Sequence, residues 1–122
     1  MLQTYMKYFL LIVVTCISIS CNAQNCSTLP NKFTSYSQAI TKVENSNFKI
    51  TESVNTSKSS WINGAHYYSC DGKTGFFIIE LKRKTYIHSN MPISIWQGFK
   101  KAVSFGSYYD HYIRHKYFLS LN

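Results

Sequence analysis

The sequence predicts an α+β fold: a three-stranded antiparallel meander followed by two helices, preceded by a short helix and strand. Three observations carry this. Aromatic and β-branched runs flank the turn signal Asp71-Gly72-Lys73-Thr74-Gly75. Pro92 suits the first turn of a helix, and Trp96, Phe99 and Val103 then repeat at helical spacing. Ser104 can cap a second helix in which Phe105, Tyr109, Tyr112 and Ile113 point inward. A meander with helices packed on one face is an α+β arrangement.

The elements follow in order. Gln24 to Asn31 is polar, contains a proline and reads as a tether. Phe33, Tyr36, Ile40 and Val43 are spaced for an amphipathic helix from about Ser35 to Glu44. Asn45-Ser46-Asn47 ends it, and alternation at Phe48, Ile50 and Glu52 predicts a short strand. Asn55 to Ser60, rich in Ser, Thr and Asn, is a loop. Strands are then expected at Trp61–Cys70, Phe76–Leu81 and Thr85–His88, the last two joined by a charged turn at Lys82-Arg83. The domain plan is 1–23 as an address, 24–56 as tether plus N-terminal helix and strand, and 57–120 as the domain proper. The N-terminal helix and strand are expected to pack beside that domain.

The address is legible at the start of the chain. Met6-Lys7-Tyr8 is a short basic start, Phe9 to Ile19 is apolar and uncharged, and Ser20-Cys21-Asn22-Ala23 supplies small residues. This is the layout of a secretory signal peptide. A membrane span needs about 20 apolar residues, so the run is too short for a permanent anchor. Cleavage after Ala23 would release the chain. Alternatively, Ser18-Ile19-Ser20-Cys21 resembles a lipoprotein lipobox, and Cys21 would carry a lipid anchoring the domain to a membrane surface. The expected location is outside the cytoplasm, as an envelope lipoprotein or a secreted protein.

Either route leaves Cys26 and Cys70, an even pair in an oxidising compartment, and a disulfide between them is expected. The chain-entropy model gives a loop of this length about 4 kcal/mol. Neither cysteine has a partner at zinc-type spacing.

The chain carries 13 Lys+Arg against 5 Asp+Glu. From Lys58 onward nine basic residues are opposed only by Asp71, Glu80 and Asp110. Such an excess favours anionic partners: nucleic acid, acidic polysaccharide or lipid headgroups. The bland alternative is a solvated basic face.

The run Ser59-Ser60-Trp61-Ile62, Gly75 to Leu81, Tyr86-Ile87-His88, Met91-Pro92, Trp96, Phe99, Ala102, Ser104, Gly106, Tyr108-Tyr109, Ile113 and Tyr117 resembles the KTSC domain, named for its occurrence at the C-terminus of some lysyl-tRNA synthetases. The resemblance covers about Ser57 to Tyr117. The family's central Tyr-x-Tyr reads Tyr86-Ile87-His88 here, and its Val-Pro reads Met91-Pro92. The synthetase context suggests RNA binding for the family, whose function is uncharacterised. An exported protein would not meet tRNA.

The sequence fits three functions. The first is a binding module for an anionic polymer such as nucleic acid. Tyr86 and His88 share one face of their strand, flanked by Lys82, Arg83 and Lys84, with Lys100, Lys101, Arg114 and Lys116 as further cations. Aromatics interleaved with cations are what single strands need, rings for the bases and charge for the backbone. The alternative for Tyr86 is packing against Trp96. The second function is a cell-surface protein-interaction or structural module, because 20 aromatics exceed what so small a core needs. The third, a metal-dependent enzyme, would use His111 and His115 at i, i+4 with a ligand from His66, His88 or Asp110. No glutamate follows His111, and two solvent-facing histidines is the simpler reading. No cofactor is expected, and binding is favoured over catalysis.

Overall fold

The computed structural model describes residues 24–122. The signal-like segment, cleavage after Ala23 and Cys21 as a lipid site lie outside the described residues. No helix among the described residues is long and apolar enough to cross a membrane.

The chain enters through β1 (Gln24–Asn25), followed by a single tight turn at Cys26–Thr28. Helix α1 (Tyr36–Glu44) begins where the spacing placed it. The Ser35 hydroxyl accepts from the Gln38 N–H at 3.0 Å, and Asn45 closes the far end. Strand β2 (Ser46–Asn47) pairs in parallel with β1.

The main sheet contains β3 (Ile50–Val54), β4 (Ile62–Ser69), β5 (Thr74–Leu81) and β6 (Thr85–Pro92), in that order and all antiparallel. The expected three-stranded meander is therefore four-stranded. The short strand before the loop joins the sheet edge, with Ile50 opposite Ser69 and Val54 opposite Ala65. Strand β6 runs on to Pro92 rather than stopping at His88, because Thr74 and Gly75 on β5 extend far enough to pair with Pro92 and Met91. The turn between β4 and β5 is closed by Asp71, whose Oδ1 accepts from the N–H groups of Lys73 at 2.8 Å and Thr74 at 3.0 Å. Gly72 turns the chain there with φ +78°.

Helix α2 (Ile93–Lys101) starts directly after Pro92. Helix α3 (Phe105–Tyr108), capped by Ser104, passes into one wide turn at Tyr109–Ile113. The second expected helix is thus shorter than its apolar spacing suggested. After Ile113 the backbone leaves the helical region, and His115 adopts φ +62°.

Both faces of the sheet are covered, a further correction to helices on one face. The first face carries Tyr67, Phe77 and Ile79 against Trp96 and Phe99 of α2, Phe105 of α3, and Tyr109 and Ile113 of the wide turn. Trp96 lies nearly parallel to Tyr67, with centroids 5.5 Å apart, and to Phe99 at 6.0 Å. The second face carries Ile78 and Ile87 against Ala39 and Val43 of α1, with Phe33 and Leu119. The C-terminal tail straps the outer edge: Ser89 Oγ donates to the Phe118 carbonyl at 2.9 Å, and Phe33 exchanges backbone hydrogen bonds with Ser120 and Asn122. Cys26 and Cys70 are joined, their Cα atoms 5.9 Å apart, which ties the entering chain to the end of β4.

Candidate functional site

A cleft of about 400 Å³ opens where the end of β5, β6, the end of α3 and the C-terminal tail converge. Its walls are aromatic: Trp61 from the loop before β4, Tyr86 from β6, Tyr109 from the wide turn, and Tyr117 from the tail. Arg114 and His115 line it as well. Trp61 is 36% exposed, so its indole presents surface to solvent. The other side of that ring lies on Gly106, where an added Cβ would collide with the indole. Gly106 is therefore what lets α3 approach and fix the tryptophan.

The floor is a buried polar pair. His88 Nδ1 lies 3.1 Å from the Tyr117 carbonyl, which can only accept, so this nitrogen carries the proton. The other nitrogen, Nε2, then accepts from the Tyr109 hydroxyl at 2.9 Å. Burial pushes the imidazole below its usual range, against a smaller upward pull from the bond to Tyr117. Burial likewise pushes the Tyr109 hydroxyl up to about 12. Both groups are neutral near pH 7, and the floor carries no charge of its own. The positive character of the cleft comes from its rim.

At that rim, Lys84 Nζ sits 5.0 Å from the Tyr86 ring centroid, in cation–π range. Lys82 and Arg83 are exposed in the adjoining turn. Arg114 is held by Asp110 Oδ1 at 3.3 Å, one helical turn back.

The residues singled out from sequence separate into groups. Tyr86, His88 and Arg114 line the cleft, and Lys84 lies over the Tyr86 ring at its rim, next to Lys82 and Arg83 in the turn. Tyr86 and His88 do share a strand face, but it is the face that α2 and α3 cover. His88 is 9% exposed, both ring nitrogens engaged, so it supports the cleft rather than offering an open ring. Tyr86 packs at the margin of the first core and lines the cleft, while the ring stacked on Trp96 is Tyr67. Lys100 is elsewhere: its Nζ lies 2.9 Å from Glu52 Oε1, which also accepts from Trp96 Nε1 at 2.7 Å. These two bonds hold the Glu52 carboxyl below its usual range, the Trp96 bond first. Lys101 is exposed at the end of α2, and Lys116 Nζ lies 5.9 Å from the Tyr112 ring.

His111 and His115 do not share a helix face, because the helix ends between them. No cluster of three or more metal-ligating side chains occurs among the described residues. Trp61, Tyr109 and Tyr117 were missed as site residues. Trp61 is placed by Gly106 of α3, Tyr109 by the wide turn and Tyr117 by the tail folding back over β6, and no local spacing encodes that these meet.

Fold and cleft together define a small α+β module with an aromatic, cation-rimmed groove. The family model of the KTSC domain matches residues 58–117, and that stretch is a KTSC domain. It spans β4 to the tail, and so contains most of the cleft. No curated protein and no solved structure matches the chain.

Proposed function

We propose that the protein is a binding module for single-stranded nucleic acid or a similarly flat, anionic polymer, working outside the cytoplasm. One observation carries the reading: Trp61, Tyr86, Tyr117 and Arg114 line one cleft, and Lys84 lies over the Tyr86 ring. Stacking on such rings contributes about 1–3 kcal/mol per base, and cations along the groove neutralise the backbone. A net charge of +8 favours approach of an anion. The Cys26–Cys70 bridge supports an oxidising location, since disulfides persist there and are rare in the cytosol.

The test is fluorescence anisotropy of labelled oligonucleotides over a salt series. Affinity is expected to fall with salt at a slope of about −0.7 per phosphate contacted. Tyr86→Ala and Arg114→Ala should both weaken binding, while Lys101→Ala, far from the cleft, should change it little. Binding that ignores salt, or that survives both cleft substitutions, removes the reading.

A further inference from the structure

On the α1 side of the sheet, Ser53, His66 and Glu80 form a line across β3, β4 and β5. Ser53 and His66 are directly opposed across the β3–β4 pair. His66 opposes Ile78, and Glu80 lies two residues further along β5, so all three side chains share one face. Ser53 Oγ lies 2.6 Å from His66 Nδ1, and His66 Nε2 lies 3.2 Å from Glu80 Oε2. One tautomer satisfies both contacts. The Nε2 proton is donated to the carboxylate, and the free lone pair on Nδ1 accepts from the serine hydroxyl.

A hydroxyl, its base and the group that orients the base are the three parts of an activated nucleophile. Two features suit that chemistry. Gly64 stands beside the line, and a Cβ there would collide with Glu80 Oε2, so glycine leaves the carboxylate room to reach His66. His66 and Glu80 also border a groove of about 460 Å³ that includes Asn55 and Asn63. Asn55 spends its carbonyl oxygen on the Ser57 N–H, which leaves its amide N–H groups for an acceptor in the groove. Side-chain amides are suitable donors to an oxyanion.

We propose that Ser53, His66 and Glu80 form an acyl-transfer site that takes small acyl esters. Ser53 is open to solvent, and its neighbour Val54 and its partner His66 line the groove, so an unhindered acyl group can approach its Oγ. The Ser53 proton passes to His66 Nδ1 as Oγ bonds to the acyl carbon. The carbon–alkoxide bond breaks, and His66 returns the proton to the departing alcohol. Water then repeats the sequence on the acyl-serine, giving the carboxylic acid and free Ser53. Glu80 is a positioning residue that holds the imidazole tautomer. The site lies on the opposite face of the sheet from the side chains of Tyr86 and Tyr109, and the proposal does not rest on the binding reading.

The experiment is reaction of the protein with p-nitrophenyl acetate, followed by chromophore release and peptide mass mapping. The expected result is a burst matching the protein concentration, with the acetyl group on Ser53. His66→Gln should slow acylation by about a hundredfold, the usual scale of a general base. Glu80→Gln should slow it less, and Glu80→Asp should recover part of the loss, which a purely structural role would not do. The proposal is overturned if wild-type Ser53 is acetylated no faster than Ser57 and Ser60 in the same digest. That comparison needs no variant. A Ser53→Ala protein releasing chromophore at the wild-type rate overturns it equally.

Discussion

The two faces of the sheet are built differently. The α2–α3 face is closed by large rings from the KTSC stretch itself, with Trp96 against Tyr67, Phe77 and Phe99, and Phe77 against Phe99. The α1 face is closed mainly from outside that stretch, by Phe33, Ala39, Val43 and Leu119 over Ile78 and Ile87. Rings meet there too, Phe48 against Tyr68 and Phe76, and Phe33 against Phe76, but Phe33 and Phe48 come from outside the stretch, and a covalent bridge helps to hold that cover. Aromatic pairs contribute about 0.5–1.5 kcal/mol beyond the area they bury, and on the first face every ring of the stack comes from the same continuous stretch. On the second face the disulfide shortens the search of a chain that must fold back over strands it is remote from in sequence. The family stretch brings its own core on one side of the sheet and borrows its cover on the other.

The contrast can be broken most severely at Trp96. Trp96→Ala should lose about 3–5 kcal/mol in urea unfolding, the range for a fully buried large aromatic. It also takes a hydrogen-bond donor from Glu52. A loss below about 1 kcal/mol would mean that the ring stack does not govern that face.

Removing the bridge tests the other side. Cys26→Ser with Cys70→Ser should lower stability by about 4 kcal/mol on the chain-entropy model. Hydrogen exchange should quicken first in α1 and β1–β2, with α2 protected longest. Uniform quickening would erase the distinction between the faces.

A smaller effect is expected from Ser35→Ala, which removes the α1 cap and should cost about 1 kcal/mol. Its signature is fraying confined to α1, read by the same exchange experiment.

The subtlest test uses pH. His88 has a depressed pKa, from burial first, so the unfolded state binds more protons. The stability it contributes is complete above its unfolded value near 6.5 and is lost as pH falls below that toward the folded value. The groups facing it are the Tyr109 hydroxyl, the Tyr117 carbonyl and nearby His115. Melting temperature should drop from pH 7 to pH 5, and His88→Gln should flatten the drop. An unchanged slope would mean that other groups set it.

Much of the fold was legible because local chemistry decides it. Ser35 and Asn45 bound α1 as their cap chemistry implies, and Asp71-Gly72 turns the chain where the sequence signals it. Ser104 starts α3. The Cys26–Cys70 pair followed from counting cysteines once the leading segment was set aside. The site was less legible. Charge and aromatic pattern point to Lys84, Tyr86 and Arg114, which meet at the cleft or its rim, yet the same pattern points to Lys100, which pairs with Glu52. It also points to His88, whose ring the wide turn and tail enclose. Alternation shows which side chains share a strand face. It does not show which face is covered.

By itself the sequence determined the α+β class, the identity of most elements, the KTSC stretch and the basic, aromatic character of the chain. These depend on contacts within a few residues or on composition. Only the tertiary structure decided that the early strand completes a four-stranded sheet and that α1 covers its second face. It likewise decided that the tail closes the cleft and that Ser53, His66 and Glu80 fall into line. Each of these joins residues from distant parts of the chain. Which segments meet is settled by the packing of the whole, because an apolar face binds whatever complementary surface the rest of the chain can bring to it.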